Sequence, residues 1–211
     1  MVNDITFPAA ILQSPFFSPD ASPAENFGGI GAVIGHEIGH GFDDQGSQYD
    51  GHGNLHQWWT DEDRAAFEKL TSALVDQYEG LVPQALREQA EEGADLPGVN
   101  GRFTLGENIG DLGGLGIAVV AFRRFLAARG EELGLEDAPE TYRDLFKQWA
   151  LVWRSKIRPE FARQLLAIDP HSPAEFRCNV IASNIDEFHE AFGTSAGDGM
   201  WREPNERVNI W

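Results

Sequence analysis

The chain has 211 residues, 16 basic and 34 acidic side chains, a formal charge of −18 and 42% hydrophobic residues. That length suits one domain with a sizeable core, residues 1–211. So acidic a surface repels nucleic acid and anionic membranes and sets both aside as partners; a basic peptide would be attracted. No run of about 18 apolar residues occurs, so no transmembrane helix is expected.

The start, Met1-Val2-Asn3-Asp4-Ile5-Thr6, has no basic segment followed by an apolar run, so no secretory signal is read there. One cysteine, Cys178, rules out an intrachain disulfide and fits a reducing compartment. Together these point to a cytoplasmic setting. With Phe176, Val180 and Ile181 around it, Cys178 reads as a buried thiol without a chemical role.

Residues 1–20 are too rich in proline for a continuous helix. Asn3 to Phe7 reads as a short strand, and the rest as an extended apolar segment. Residues 24–45 form the first strong helix, with Ile30, Val33, Ile34 and Ile38 at helical spacing. Gly28, Gly29, Gly31, Gly35 and Gly39 lower its propensity by up to about 1 kcal/mol each. Such a helix needs a compensating reason, and close packing of another backbone or of a metal site is a natural one.

Residues 46–57 are turn-rich, with Asp50-Gly51 a hairpin signal. A calcium loop starting at Asp50 fails, because Leu55 stands where that loop needs Gly. Thr60 reads as an N-cap ahead of Asp61, Glu62 and Asp63, and Phe67, Leu70, Leu74 and Tyr78 continue an apolar stripe. Glu91 to Gly98 reads as a surface loop. A second Gly-rich helix runs from about Thr104 to Arg129, stopped by Gly130. Further helices are expected at 140–157, 159–167 and 183–192, with Pro139, Pro159 and Pro173 at possible helix starts. The chain therefore reads as mainly α with a small β element.

The chemistry concentrates in His36-Glu37-Ile38-Gly39-His40. Residues four apart share a helix face, so His36 and His40 can point two imidazoles at one ion. Glu37 can then reach a water on that ion, which is the physical sense of H-E-x-x-H. A catalytic zinc usually has three protein ligands and an open position. The candidate third ligand is Glu107, in Gly106-Glu107-Asn108-Ile109-Gly110-Asp111. Asp111, one turn on, can accept a hydrogen bond from the distal nitrogen of a ligating histidine. The pentapeptide can also arise on a solvated helix face. Here it lies in an apolar, Gly-rich helix where such groups are costly without a partner, and a second Gly-rich helix carries a matching acidic pair.

Gly35-His36-Glu37-Ile38-Gly39-His40-Gly41-Phe42-Asp43-Asp44 resembles the zinc motif of the neprilysin family of endopeptidases. Leu105-Gly106-Glu107-Asn108-Ile109-Gly110-Asp111 resembles its third-ligand motif. The stretch from Asp169-Pro170-His171 to Arg177 and the terminal Arg207-Val208-Asn209-Ile210-Trp211 are similar to its members as well. The resemblance implies a thermolysin-like zincin catalytic domain, the C-terminal part of a longer protein, holding one Zn2+. It implies His36, His40 and Glu107 as ligands, Glu37 as general base and Asp111 as partner of His36. It further implies that His171 stabilises the oxyanion and that Arg177 holds a substrate carbonyl on the leaving-group side. Ile11, Phe16, Val33, Val152 and Trp153 match its apolar specificity pocket.

On residue grounds alone those five read as core, His171 as a helix-start residue and Arg177 as a solvated arginine. His52 and His56 read as surface residues, and so does His189. The chain departs from the family in three ways. The large domain that covers the cleft is absent, the Asn-Ala-aromatic segment that pairs with substrate is absent, and Gly110 stands where Ala is common, a change expected to be tolerated. The expected function is a zinc endopeptidase acting on oligopeptides with an apolar residue after the scissile bond. The alternatives are a zinc-binding but inactive fragment that needs its missing domain or a partner, and a non-enzymatic interaction module, against which the intact Glu37 speaks.

Overall fold

A computed structural model describes residues 3–91, 93–130, 135 and 138–211. Helix α1 (Pro23–Asn26) continues through a π-helical turn (Phe27–Gly31) into α2 (Ala32–Gly39). There follow α3 (Asp61–Tyr78), α4 (Gln84–Arg87), α5 (Leu105–Ala128), α6 (Pro139–Trp153), α7 (Pro159–Ile168), α8 (Ala174–Ala182) and α9 (Asp186–Phe192). Among the described residues the β contribution is one isolated antiparallel bridge, Tyr49 to Leu55. No helix among them is long and apolar enough to cross a membrane.

Local chemistry sets most helix starts. Ser22 and Glu25 form a reciprocal capping box ahead of α1. Thr60 caps α3 by accepting from the Asp63 amide. Pro139 and Pro159 occupy the first positions of α6 and α7, where a missing N–H costs nothing. Helix α5 is apolar on most sides, with Leu105, Ile109, Leu112, Leu115, Val119, Phe122 and Leu126 all buried, and so forms the centre of the core. Tyr142, Leu145, Phe146 and Trp149 of α6 pack into the same cluster.

The closest helix pair is α2 against α5, and its interface is glycine on glycine. A Cβ built on Gly35 would lie 2.8 Å from Gly114 Cα, and one on Gly114 would lie 2.5 Å from the Ala32 carbonyl oxygen and 2.6 Å from the His36 nitrogen. Gly39 faces Gly110 more loosely, an added Cβ lying 3.5 Å from Gly110 Cα, so the tight contact is that of Gly35 with Gly114. The backbones therefore approach more closely than any side chain would permit. This is the compensating reason that the glycine-rich sequence required.

Several boundaries differ from those read in the sequence. Asn3 to Phe7 has no strand partner among the described residues. The first long helix stops at Gly39 rather than near residue 45, because Asp43 Oδ1 accepts from the Gln45 and Gly46 amides and folds the chain back. The Asp50-Gly51 turn is present, with Asp50 Oδ1 accepting from the His52 and Asn54 amides. Helix α6 ends at Trp153. Helix α8 was foreshadowed only by Pro173, and α9 begins at Asp186 rather than at 183. Buried Asn184 marks that break. Its side chain accepts from the Val208 amide and exchanges hydrogen bonds with Gln77, fastening the C-terminal tail to α3. The 91–98 loop is exposed or half-buried apart from Glu92, which lies outside the described residues.

Cys178 is half-buried, and burial pushes its thiol up to about 11. It therefore stays protonated at pH 8. Iodoacetamide labelling at that pH is expected to be slow in the native chain and fast in urea; equal rates would contradict the burial. Gly114→Ala is expected to lower stability by about 1–3 kcal/mol, although helix propensity alone favours Ala by about 1 kcal/mol. Gly51→Ala, with nothing within 4 Å of its added methyl, is expected to change it by less than about 0.5 kcal/mol. Urea unfolding of the two variants reads the difference.

Candidate metal centre

Helix α2 supplies His36 and His40, and α5 supplies Glu107 and Asp111. The antiparallel glycine crossing brings the two pairs together. One nitrogen from each histidine and a Glu107 oxygen lie within 4.8 Å of one another. The ring centroids of His36 and His40 are 4.6 Å apart at 85°.

Three histidines face Glu107, and each is backed by its own carboxylate. His36 Nδ1 donates to Asp111 Oδ1 at 2.9 Å, His40 Nδ1 to Asp43 Oδ2 at 2.8 Å, and His171 Nδ1 to Asp169 Oδ1 at 2.7 Å. With Nδ1 engaged, Nε2 is the nitrogen turned to the centre. The Nε2 atoms lie 3.3 Å (His36), 3.7 Å (His40) and 3.1 Å (His171) from Glu107 oxygens. Glu107 Oε2 is nevertheless buried without a hydrogen-bond partner of good geometry. A buried carboxylate oxygen that imidazole nitrogens approach without well-aligned hydrogen bonds forms, with those nitrogens, a donor set suited to a cation such as zinc.

The charges reinforce one another. Burial opposes protonation of His36, but its hydrogen bonds to Asp111 and Glu107 outweigh this and push it up to about 9. The Asp43 hydrogen bond raises His40 against its burial, and the Glu107 hydrogen bond raises His171 likewise. Burial pushes Glu107 up, but the hydrogen bonds to His171 and His36 prevail and hold it well below the usual carboxylate range. The protein thus concentrates negative charge where these imidazoles converge.

Arg177 is buried, contrary to its residue-only reading as a solvated arginine. Its Nε and Nη2 donate to Asp111 at 2.6 and 2.8 Å, and its Cζ lies 4.0 Å from the Trp153 ring centroid. Asp111 is therefore gripped by α8 while it orients His36. Ser172 donates to Asn108 Oδ1 at 2.8 Å, which ties the loop carrying His171 to the helix of Glu107. Glu37 is exposed on the same turn as His36.

Trp153, His171 and Arg177 line one cavity. Ile11, Phe16, Val33 and Val152 are half-buried and do not line it. Gly110 does more than tolerate its position. The space of a methyl there is taken by the His36 ring, 2.8 Å from an added Cβ at Nδ1. His52 and His56 are exposed. His189 is buried, with Nε2 donating to the Ser183 carbonyl and Nδ1 meeting the Thr194 hydroxyl, so its reading as a surface residue was wrong. The roles of Asp43 and Asp169 escaped sequence reading. Their spacings from His40 and His171 are the signal that could have found them.

The model of the family described as peptidase family M13 matches residues 1–208. The neutral endopeptidase of Lactococcus lactis subsp. lactis (strain IL1403) is 39% identical over 209 residues, 99% of this chain and 30% of the relative. Endothelin-converting enzyme 1 of Homo sapiens is 41% identical over 210 residues, 99% of this chain and 26% of the relative. The solved structure of Mycobacterium tuberculosis zinc metalloprotease Zmp1 in complex with inhibitor superposes with a TM-score of 0.89 at 51% identity, over 97% of this chain and 30% of that one. PepO from Lactobacillus rhamnosis HN001 superposes at 0.83 and 40% identity, over 99% and 30%. The chain spans less than a third of the length of these relatives. The mainly helical zincin-type fold and the resemblance read from the sequence are borne out: the chain belongs to peptidase family M13.

Proposed function

We propose that this chain is the catalytic portion of a zinc endopeptidase acting on oligopeptides. The convergence of His36, His40 and Glu107 beside an exposed Glu37 carries that reading. The names of the relatives, neutral endopeptidase and zinc metalloprotease, support it.

His36 Nε2, His40 Nε2 and a Glu107 oxygen would hold one zinc ion. When bound, zinc polarises a substrate carbonyl and lowers the pKa of water towards 7. Glu37 takes a proton from the attacking water and passes it to the leaving amine. His171, oriented by Asp169, donates from Nε2 to the oxygen that gains negative charge, a contribution of about 2.7–4 kcal/mol in comparable sites. Arg177 keeps Nη1 for a substrate carbonyl, since Nε and Nη2 hold Asp111. Ile11, Phe16, Val33, Val152 and Trp153 would form the pocket for an apolar residue after the scissile bond.

A second reading, a zinc-binding chain inactive without a further domain, is favoured by one observation. Ile34, Ile38 and Phe42, on and just after the ligand-bearing helix, are 39%, 50% and 43% exposed. In the longer relatives additional polypeptide is available to cover such a face.

Cleavage of a quenched peptide is expected to vanish in Glu37→Gln while zinc stays at one per chain by atomic absorption. Zinc without cleavage in the unaltered chain would select the second reading, and no zinc after chelator-free purification would sink both. Asp43→Asn is expected to weaken zinc binding about 10–100-fold in a competition titration with a chromophoric chelator. An unchanged affinity would show that Asp43 serves only the turn.

A further inference from the structure

His171 is the most exposed of the three imidazoles at the centre, its side chain 44% accessible. Packing therefore holds it least, although a donor to a reacting oxygen has to be placed to within about 0.5 Å. Asp169 Oδ1 accepts from the His171 main-chain nitrogen at 3.0 Å and from Nδ1 at 2.7 Å. Both bonds lie within one loop. They set the ring relative to that loop and not relative to Glu107.

A second set of bonds makes that connection. Ser172, next to His171, donates to Asn108 Oδ1 at 2.8 Å, and Asn108 is next to Glu107. Asn108 Nδ2 donates to Thr104 Oγ1 at 3.0 Å, and Thr104 Oγ1 donates to the Asn100 carbonyl at 3.2 Å. Ser172, Asn108 and Thr104 are all buried, so a bond lost from this relay is not replaced by one to water. The direction of the relay is fixed from its far end. A carbonyl only accepts, so the Thr104 hydroxyl gives its proton to Asn100 and offers Asn108 a lone pair. Asn108 must then turn Nδ2 to Thr104 and Oδ1 to Ser172, which leaves Ser172 as the donor.

We propose that Asn108 and Ser172 are positioning residues for His171. The relay fastens the loop to α5 at the residue beside Glu107, and so keeps His171 Nε2 at the centre, 3.1 Å from Glu107 Oε2. Both side chains are buried and act through the imidazole, not on a substrate. This rests on the peptidase reading, in which His171 meets the oxygen that gains negative charge. A purely structural role is the competing account. It predicts a loss of stability with no selective effect on one class of ligand.

The test uses zinc-loaded chain and two probes with the same side chains, read by calorimetry. A phosphinic peptide presents a tetrahedral anionic oxygen that His171 can meet. A mercaptoacyl peptide binds through sulfur and offers His171 no such oxygen. Ser172→Ala is expected to weaken the phosphinic probe roughly 10–100-fold and to leave the mercaptoacyl probe unchanged, which also shows that the fold and the zinc site are intact. Ser172→Cys keeps only a weak S–H donor and is expected to fall between. It carries the same comparison if the alanine variant does not fold. His171→Ala alone is expected to weaken the phosphinic probe selectively, and adding Ser172→Ala to it should change neither probe further.

Equal weakening of both probes by the Ser172 substitutions assigns the pair to stability and overturns the proposal. Unchanged phosphinic affinity overturns it too, in the Ser172 variants or in His171→Ala. So does a Ser172→Ala loss that persists at full size without His171. If neither probe binds the unaltered zinc-loaded chain, the peptidase reading itself fails, and the proposal with it.

Discussion

Everything at the metal centre depends on the contact of α2 with α5 through glycine. His36 and His40 lie on one helix and Glu107 and Asp111 on the other, and none of these side chains is long. They meet because Gly35 and Gly114 let the helix backbones touch. The His36 ring then occupies the space a methyl on residue 110 would need. The low helix propensity of both segments is offset by tertiary packing, with α5 buried along most of its length.

The second organising feature is electrostatic. Three imidazoles each rest on a carboxylate through Nδ1, and all turn Nε2 towards Glu107. Asp111 is itself paired by the buried Arg177, whose guanidinium packs on Trp153. Orientation is therefore imposed from four directions, by α2, α5, α8 and the loop before α8. A site held in this way keeps its geometry while a ligand comes and goes, because each donor is fixed by packing and by a hydrogen bond behind it. The same arrangement connects the centre to the cavity that runs past His171, since Arg177 both pairs with Asp111 and lines that cavity.

Much of the fold was legible because its signals are local. The Thr60 cap, the Pro139 and Pro159 helix starts and the long apolar run of α5 depend on neighbours within a few residues. The misreadings arose where the hydrogen bonds of one side chain, near or far along the chain, override what periodicity suggests. Asp43 ends the first helix by taking backbone amides, Asn184 splits a helical stretch by anchoring the tail, and His189 is buried by contacts with Ser183 and Thr194. The short strand expected near the start lacks a partner, since pairing is decided by what lies alongside.

From the sequence alone came the two histidines on one helix face, the adjacent Glu37, the acidic pair on a second glycine-rich helix and the family. Those follow from helical periodicity and the chemistry of the side chains, which need no knowledge of the rest of the chain. The tertiary structure decided which carboxylate backs which histidine, that Arg177 is buried and grips Asp111, and that Trp153, rather than all five pocket candidates, lines the cavity with His171. The physical reason is separation along the chain. Asp111 lies 75 residues from His36 and 66 from Arg177, and only the close approach of helix backbones converts such spacings into contacts of 2.6 to 2.9 Å.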